Sequence, residues 1–357
     1  MKHQDRTSNV AYPNAAELQN RFLSLLARYV NGGVLRRRDI FLSMCASTLP
    51  YLNNADTVLN LYRQHLKYIP ATPANGIPVD IDPYSGANPY VQRMMEYLAG
   101  RLAGELYGAY VHGSLGTQEE VNYSDFDALV ILRNEVFESR KRLIRVATAL
   151  REATRIMFEF DPLQHHGWFV TTQADLSFYS DAWLPVEALR RAKSLLPEAR
   201  SEIVFCVRDS ASEARDAFAR TARSVAAKLT EHRPPSNAYE LKSLLSEFLL
   251  LPALYLQALE GRGVFKGDSF DMARQHFTNE EWRIMDEVSD IRRHWSYELS
   301  GVRRRALCAP HALRKYVARH GGPRLPAPIA RRLDRRFYRD MAALVERMRG
   351  RFIEARR

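Results

Sequence analysis

The chain has 357 residues, 46% of them apolar and 26% charged, enough for a buried core in two domains or in one domain with large additions; its longest apolar stretch, residues 248–259, is interrupted by Pro252 and Gln257, so no transmembrane segment of the usual ~18 residues is expected. The net charge is +11, but residues 323–357 hold 11 Arg against 4 acids, so the basic character belongs to the tail and argues only weakly for nucleic-acid binding by the whole chain. Cys45, Cys206 and Cys308 lie far apart with no metal-ligand spacing, and the polar start MKHQDRTSNVAYPN lacks the apolar core of a secretion signal, so a cytoplasmic setting is expected.

Residues 1–69 read as a helical N-terminal region. ELQNRFLSLLARYV sets Leu18, Phe22, Leu25, Leu26 and Val30 on one face at three- and four-residue steps, and RRRDIFLSMCASTLPYL and ADTVLNLYRQHLKYI continue the pattern. Residues 70–89 are a Pro-rich linker: Pro70, Pro73, Pro78, Pro83 and Pro89, with Gly76 and Gly86, predict loop. Residues 90–181 alternate between types. Asn88 caps a helix with Pro89 in its first turn; LYGAYVHGS and DFDALVIL are strands; residues 135–154 form a basic amphipathic helix; IMFEF and GWFVTT read as β.

Residues 182–322 are predominantly helical, with IVFCV either a strand or a buried helical turn. The helix over residues 239–260 is apolar on nearly all sides and is expected to be buried and kinked at Pro252. Residues 323–357 form a basic amphipathic C-terminal helix, with Ile329, Leu333, Phe337, Met341, Leu344, Val345, Met348 and Phe352 as its stripe. It fits a packed helix with a solvated Arg face, a phosphate-binding arm, or a segment lying on an anionic membrane. The fold class predicted is α+β, a small mixed-sheet core between a helical N-terminal region and a helical C-terminal domain.

The chemistry concentrates in VHGSLGTQEEVNYSDFDALVIL. Asp125 and Asp127 stand one residue apart at the start of an apolar strand, where alternation aims both at one spot and turns Phe126 into the core. Two carboxylates aimed at one spot repel unless a cation lies between them, and Mg²⁺ takes hard oxygen ligands, commonly together with substrate phosphates. Gly113 allows a sharp turn and close backbone approach; the Ser114 hydroxyl and nearby N–H groups suit phosphate oxygens. A metal–triphosphate site follows, in which metal ions assist in-line attack on the α-phosphorus.

HGS, ten residues, then DFD resembles the Gly-Ser…Asp-x-Asp signature of the polymerase-β-like nucleotidyltransferase superfamily, and most of all its bacterial minimal and aminoglycoside-type members, including Ser124 before the first Asp. The resemblance covers residues 90–181, about a quarter of the chain. It implies a small mixed-sheet nucleotidyltransferase domain there, residues 182–322 as a helical domain that closes the cleft, Mg²⁺ (or Mn²⁺) on Asp125 and Asp127, and a nucleoside triphosphate substrate, with ATP expected. The reaction implied is transfer of a nucleoside monophosphate to a hydroxyl of a small molecule or a protein, releasing pyrophosphate. Nucleic acid, through the basic tail, is not the favoured acceptor.

The pattern departs from the family at the third carboxylate. FEFDPLQHHGWFVTT offers Gln164 or His166 where Asp or Glu is expected; a strand through LQHHGWFV would put Gln164, His166 and Trp168 on one face and His165 with Leu163 and Phe169 on the other. Three readings follow: Asp161 is the displaced third carboxylate; His166 is the base, since imidazole titrates near neutrality; or the site is incomplete. A Zn²⁺ site at His165 and His166 lacks further ligands at a familiar spacing.

YLQALEGRGVFKGDSF resembles the helix–loop from which a cation reaches the triphosphate in the aminoglycoside enzymes, with Lys266 the candidate and Arg262 behind it. Lys242 and Glu247 lie on the preceding helix with nothing in their spacing that requires a role. Trp168, Phe178, Tyr179 and Trp183 are either core or a stacking surface. Arg305…His311 and Arg314…His320 fit an Arg-x(4–6)-His ribonuclease pattern that so Arg-rich a chain produces by chance. Two other classes stay open: a non-catalytic nucleotide-binding regulator and an interaction protein of the toxin–antitoxin type.

Overall fold

The first amphipathic segments fold as helices α1 (Pro13–Val30), α2 (Arg37–Cys45) and α3 (Leu49–Leu66) in a computed structural model that describes residues 13–70, 76–196, 201–230, 235–310 and 312–355. Phe22, Leu26, Tyr29 and Val30 of α1 and Tyr51, Ala55, Val58 and Tyr62 of α3 are buried, as the stripe requires. A buried polar cluster fixes them to the rest of the chain. Asp175 accepts from Gln19 Nε2 (2.8 Å) and faces His65 Nε2 (2.7 Å), while Asn31 grips the Trp168 backbone through N–H (2.7 Å) and carbonyl (2.9 Å).

Next come β1 (Ile77–Ile81), α4 (Pro89–Leu102), β2 (Leu106–Val111), α5 (Gly113–Thr117), β3 (Ala128–Leu132), α6 (Arg140–Phe160), β4 (Phe169–Thr172), β5 (Tyr179–Ser180), α7 (Val186–Leu189), β6 (Lys193–Ser194), β7 (Ser201–Phe205) and β8 (Val207–Arg208). Asn88 caps α4, its side chain accepting from the Tyr90 and Val91 N–H groups, with Pro89 in the first turn where its missing donor costs nothing. The main sheet has strand order β4-β3-β2-β6. β2 and β3 are antiparallel, Val111 opposite Ala128, and α6 carries the chain over to β4, parallel to β3. β3 is buried on both faces: Ala128, Val130 and Leu132 join the core with α1, α3, α4 and α6, whereas Leu129 and Ile131 join a second cluster with β1, α7 and β7.

The remainder is helical: α8 (Ala211–Thr230), α9 (Ala238–Phe248), α10 (Leu251–Glu260), α11 (Lys266–Arg274), α12 (Asn279–Arg293), α13 (Gly301–Cys308), α14 (Arg314–Gly321), α15 (Ala327–Ala330) and α16 (Arg335–Glu354). The α16 stripe packs into this domain, with Phe337, Met341, Leu344, Val345 and Met348 buried and Phe352 against the Phe218 ring. Its arginines meet acids, Arg347 and Arg351 pairing with Glu281. The predicted single tail helix is therefore two: α15 carries Ile329, Leu333 lies between α15 and α16, and α16 packs the rest of the stripe with a charged outer face. The architecture is mixed α+β.

Four local expectations change. IMFEF is the last turn and a half of α6, not a strand: Leu150, Ala153 and Met157 continue the helical face set by Leu143, Val146 and Ala147, and tertiary burial overrides β propensity. The Pro-rich linker contains β1, antiparallel to β7, with Val79 and Ile81 buried; Pro78 is tolerated because this is a two-stranded pair. Residues 71–75 of that linker, Pro73 included, lie outside the described residues. Pro252 does not kink one helix but starts a second, in the first turn of α10 after a break at Leu249 and Leu250. IVFCV supplies β7 and then β8. Among the described residues, Ala238–Glu260 does have the length and hydropathy of a membrane span, but 67% of that window is buried in the helical core.

Candidate functional site

β2 delivers the chain to His112 and then to Gly113, whose φ is +63°. The glycine is required twice over: other residues rarely hold this backbone, and a Cβ here would stand 2.9 Å from Asp127 Oδ2. Ser114 Oγ donates to Ser124 Oγ (2.8 Å), and Ser124 Oγ accepts the Val121 N–H (3.0 Å), so the Gly-Ser turn holds the loop that leads into Asp125.

Asp125 and Asp127 lie just before β3 rather than within it, but the backbone there is held extended and the predicted alternation holds: Phe126 is fully buried, and both carboxylates converge on His166. Gln164 imposes this shape. Its Oε1 accepts the Phe126 N–H (2.7 Å) and its Nε2 donates to the Phe126 and His166 carbonyls (3.2 and 2.9 Å). The amide is thereby consumed as a backbone clamp and does not act as the missing third ligand. No strand runs through LQHHGWFV; β4 starts at Phe169, Trp168 turns into the core with its indole donating to Leu150, and His165 stacks on Tyr239 at 4.4 Å.

His166 Nε2 is 3.1 Å from Asp127 Oδ1 and 3.6 Å from Asp125 Oδ2, while Nδ1 lies 3.0 Å from the Gly167 carbonyl. A ring facing acceptors at both nitrogens is satisfied as imidazolium. Burial opposes that charge, but the bonds to Asp125 and Asp127 outweigh it and hold the pKa well above its ordinary value. His165 is the reverse case: burial brings it down to about 4 in spite of Asp125. His112, also buried, is kept neutral for the same reason.

Asp161 ends α6 with 3% of its side chain exposed. Its Oδ1 accepts the Leu163 N–H (3.1 Å) and its Oδ2 accepts Lys242 Nζ (2.7 Å). The same ammonium, with no exposed surface, is 2.7 Å from Asp125 Oδ1. Burial opposes the Asp125 charge, yet Lys242 and His166 hold its carboxyl well below the usual range. Asp161 shares the one ammonium with a stronger acid; burial, against the pull of Lys242 and helped by Asp125, pushes it up to about 7. Behind this turn Arg314 is buried, donating to the Leu307, Gln164 and Pro162 carbonyls (2.6, 2.7 and 2.6 Å). It is a clamp, remote in role from His320, which rests exposed on Tyr316; His311 lies outside the described residues.

Lys266 opens α11 with its side chain exposed; the surrounding protein and Arg292 lower its pKa, and Asp127 and Asp125 act against them. It thus stands in the field of the two acids, whereas Arg262 pairs with Glu260 at the surface and Glu247 pairs with Lys228. Tyr179 is core, and Trp183 and Phe178 are partly buried beside it.

Motif reading gave Lys242 no required role and passed over Arg292. A signal existed for the first: Lys242 is the lone cation on a helix face of Leu241, Leu244 and Leu245, and a buried lysine demands a countercharge. Arg292 sits among the arginines of α12 without any distinguishing pattern.

The arrangement suits a hard cation on Asp125 and Asp127. Asp125 Oδ2 and Asp127 Oδ1 meet on the side of His166, and the absent Cβ of Gly113 leaves space beside Asp127 Oδ2. Among the described residues no three His, Cys, Asp or Glu side chains cluster as a metal cage, so further ligands would come from phosphate or water. The chain matches no known protein-family model, and it matches no curated protein at a significant level of similarity.

Proposed function

We propose that the protein is a metal-dependent nucleotidyltransferase that moves a nucleoside monophosphate from a triphosphate, ATP in the first instance, to a hydroxyl of a small molecule or protein. The observation that carries this reading is the convergence of Asp125 and Asp127 beside the Cβ-less turn at Gly113. Asp125 and Asp127 would hold Mg²⁺ or Mn²⁺, which supplies charge neutralisation at the phosphates. Gly113 and Ser114 offer backbone N–H donors, the Ser114 hydroxyl being engaged with Ser124, and Lys266 with Arg292 adds positive charge. The acceptor oxygen attacks the α-phosphorus, the bond to the β-phosphate oxygen breaks, and pyrophosphate leaves. The acceptor proton goes to His166, whose reason for being protonated disappears once Asp125 and Asp127 are engaged elsewhere. Asp161, tied to Lys242, supports Asp125 rather than taking that proton.

The fully paired state of Asp161 also favours a second reading, a nucleotide-binding protein without transfer. One experiment separates them. The protein is incubated with each of the four radiolabelled nucleoside triphosphates, Mg²⁺ or Mn²⁺ and a cell extract, beside an Asp125→Ala/Asp127→Ala variant. Label reaching a protein or small-molecule acceptor only with the unaltered chain supports transfer. Nucleotide binding without pyrophosphate release across extracts supports the second reading.

A further inference from the structure

Between Asp125 and Asp161 the chain supplies a cation of its own. Lys242 Nζ is 2.7 Å from Asp125 Oδ1 and 2.7 Å from Asp161 Oδ2, and no part of the side chain reaches solvent. Its third side is closed by the Tyr123 ring, whose centroid is 5.0 Å away. Tyr123 is held there by its hydroxyl, which donates to the Lys242 carbonyl (2.9 Å) and meets Ser246 Oγ (2.8 Å). The ammonium is therefore fixed from α9, while the two acids come from the ends of the loop before β3 and of α6.

Both oxygens of Asp161 are already engaged, Oδ1 by the Leu163 N–H and Oδ2 by Lys242. A divalent ion bridging Asp125 and Asp161 would have to evict this ammonium and leave it buried beside a dication. Like charges a few ångströms apart in a dry interior repel strongly, and an unpaired buried ammonium is costly in itself. The outer edge of Asp125 and the whole of Asp127 face the other way, toward His166 and the Gly113 turn.

We infer that Lys242 is a tethered cation standing between Asp125 and Asp161, so that the centre takes one divalent ion, on Asp125 and Asp127 with the nucleotide phosphates, and not two. This rests on the nucleotidyltransferase reading above. Lys242 is then a positioning residue: it holds Asp125 aimed while excluding a second metal.

The test counts metal. Purified protein with one equivalent of α,β-methylene-ATP is titrated with Mn²⁺, and free Mn²⁺ is followed by electron paramagnetic resonance. The unaltered chain is expected to bind one Mn²⁺ per complex. Lys242→Met is expected to bind two, because the vacated acids become available, and Lys242→Met/Asp161→Asn, which removes the ammonium and one of its two acids and guards against a single variant that fails to fold, returns to one. Two Mn²⁺ on the unaltered chain, or one on folded Lys242→Met, overturns the inference while leaving the transferase reading standing. Neither Mn²⁺ nor analogue bound by the unaltered chain overturns both.

Discussion

Replacing Lys242 by Met keeps the volume of the side chain and deletes its charge, so the cost isolates electrostatics from packing. Asp161, 3% exposed, loses the ammonium bonded to it, and Asp125 loses the nearer of the Lys242 and His166 cations. Breaking a buried pair from one side costs about 3–5 kcal/mol, which for a chain of this size lowers Tm by roughly 4–7 °C. The loss depends on pH. Asp161 already sits above its ordinary 3.8 in the folded protein, and without the ammonium it rises further. A carboxyl whose folded pKa exceeds its unfolded one binds its proton more readily when folded, so its contribution weakens stability as pH rises through that window. The Lys242→Met deficit should be largest near pH 8 and shrink toward pH 5. Adding Asp161→Asn should restore the share of the loss that comes from stranding Asp161, while Asp125 keeps only His166 as its cation partner. Thermal melts of the four proteins across pH 5–8 give the cycle. A Lys242→Met loss below about 1 kcal/mol, or no recovery on adding Asp161→Asn, would refute the ion-pair account.

Gly113→Ala forces a left-handed backbone on a residue with a Cβ, about 1–2 kcal/mol, and drives that Cβ to 2.9 Å from Asp127 Oδ2. Nucleotide-dependent Mn²⁺ binding should fall more than tenfold while Tm drops only a few degrees; unchanged binding would sink the claim that the turn sets Asp127. His165, held to about 4 by burial, is neutral when folded but protonates near 6.5 when unfolded, so stability is full above that pH and is lost as pH falls toward 4, by about 3 kcal/mol. His165→Phe, which can still stack on Tyr239, should flatten the acid limb of a denaturation profile, and an unaltered limb would count against it. Asp175→Ala strands Gln19, His65 and Thr172, which it bonds at 2.8, 2.7 and 2.6 Å; amide exchange in α1 and α3 should accelerate by about 100-fold, the equivalent of about 3 kcal/mol. Exchange confined to the site instead would show that these helices are anchored elsewhere.

Several features were legible before any fold was known because they depend on neighbours along the chain. The Asn88 cap and Pro89 follow from the first turn of a helix, the α16 stripe from a period of 3.6 residues, and the convergence of Asp125 and Asp127 from a period of 2. The Gly113 turn was likewise a local demand, whereas the reading of Asp161 as a displaced third carboxylate came without its partner, Lys242, which lies 2.7 Å from its Oδ2. IMFEF misled because composition favoured β while the helical face, visible only once Leu143 through Met157 had a core to cover, ran on through it. The Val79 and Ile81 alternation of β1 was hidden among prolines, and it became a strand because β7, more than a hundred residues away, pairs with it. What the tertiary structure alone decided is the electrostatic state of the site. Lys242 meets Asp161 across 81 residues and Gln164 clamps Phe126 across 38; a charge's partner depends on which surfaces the packed helices and sheet bring together, and no periodicity in the chain encodes that distance.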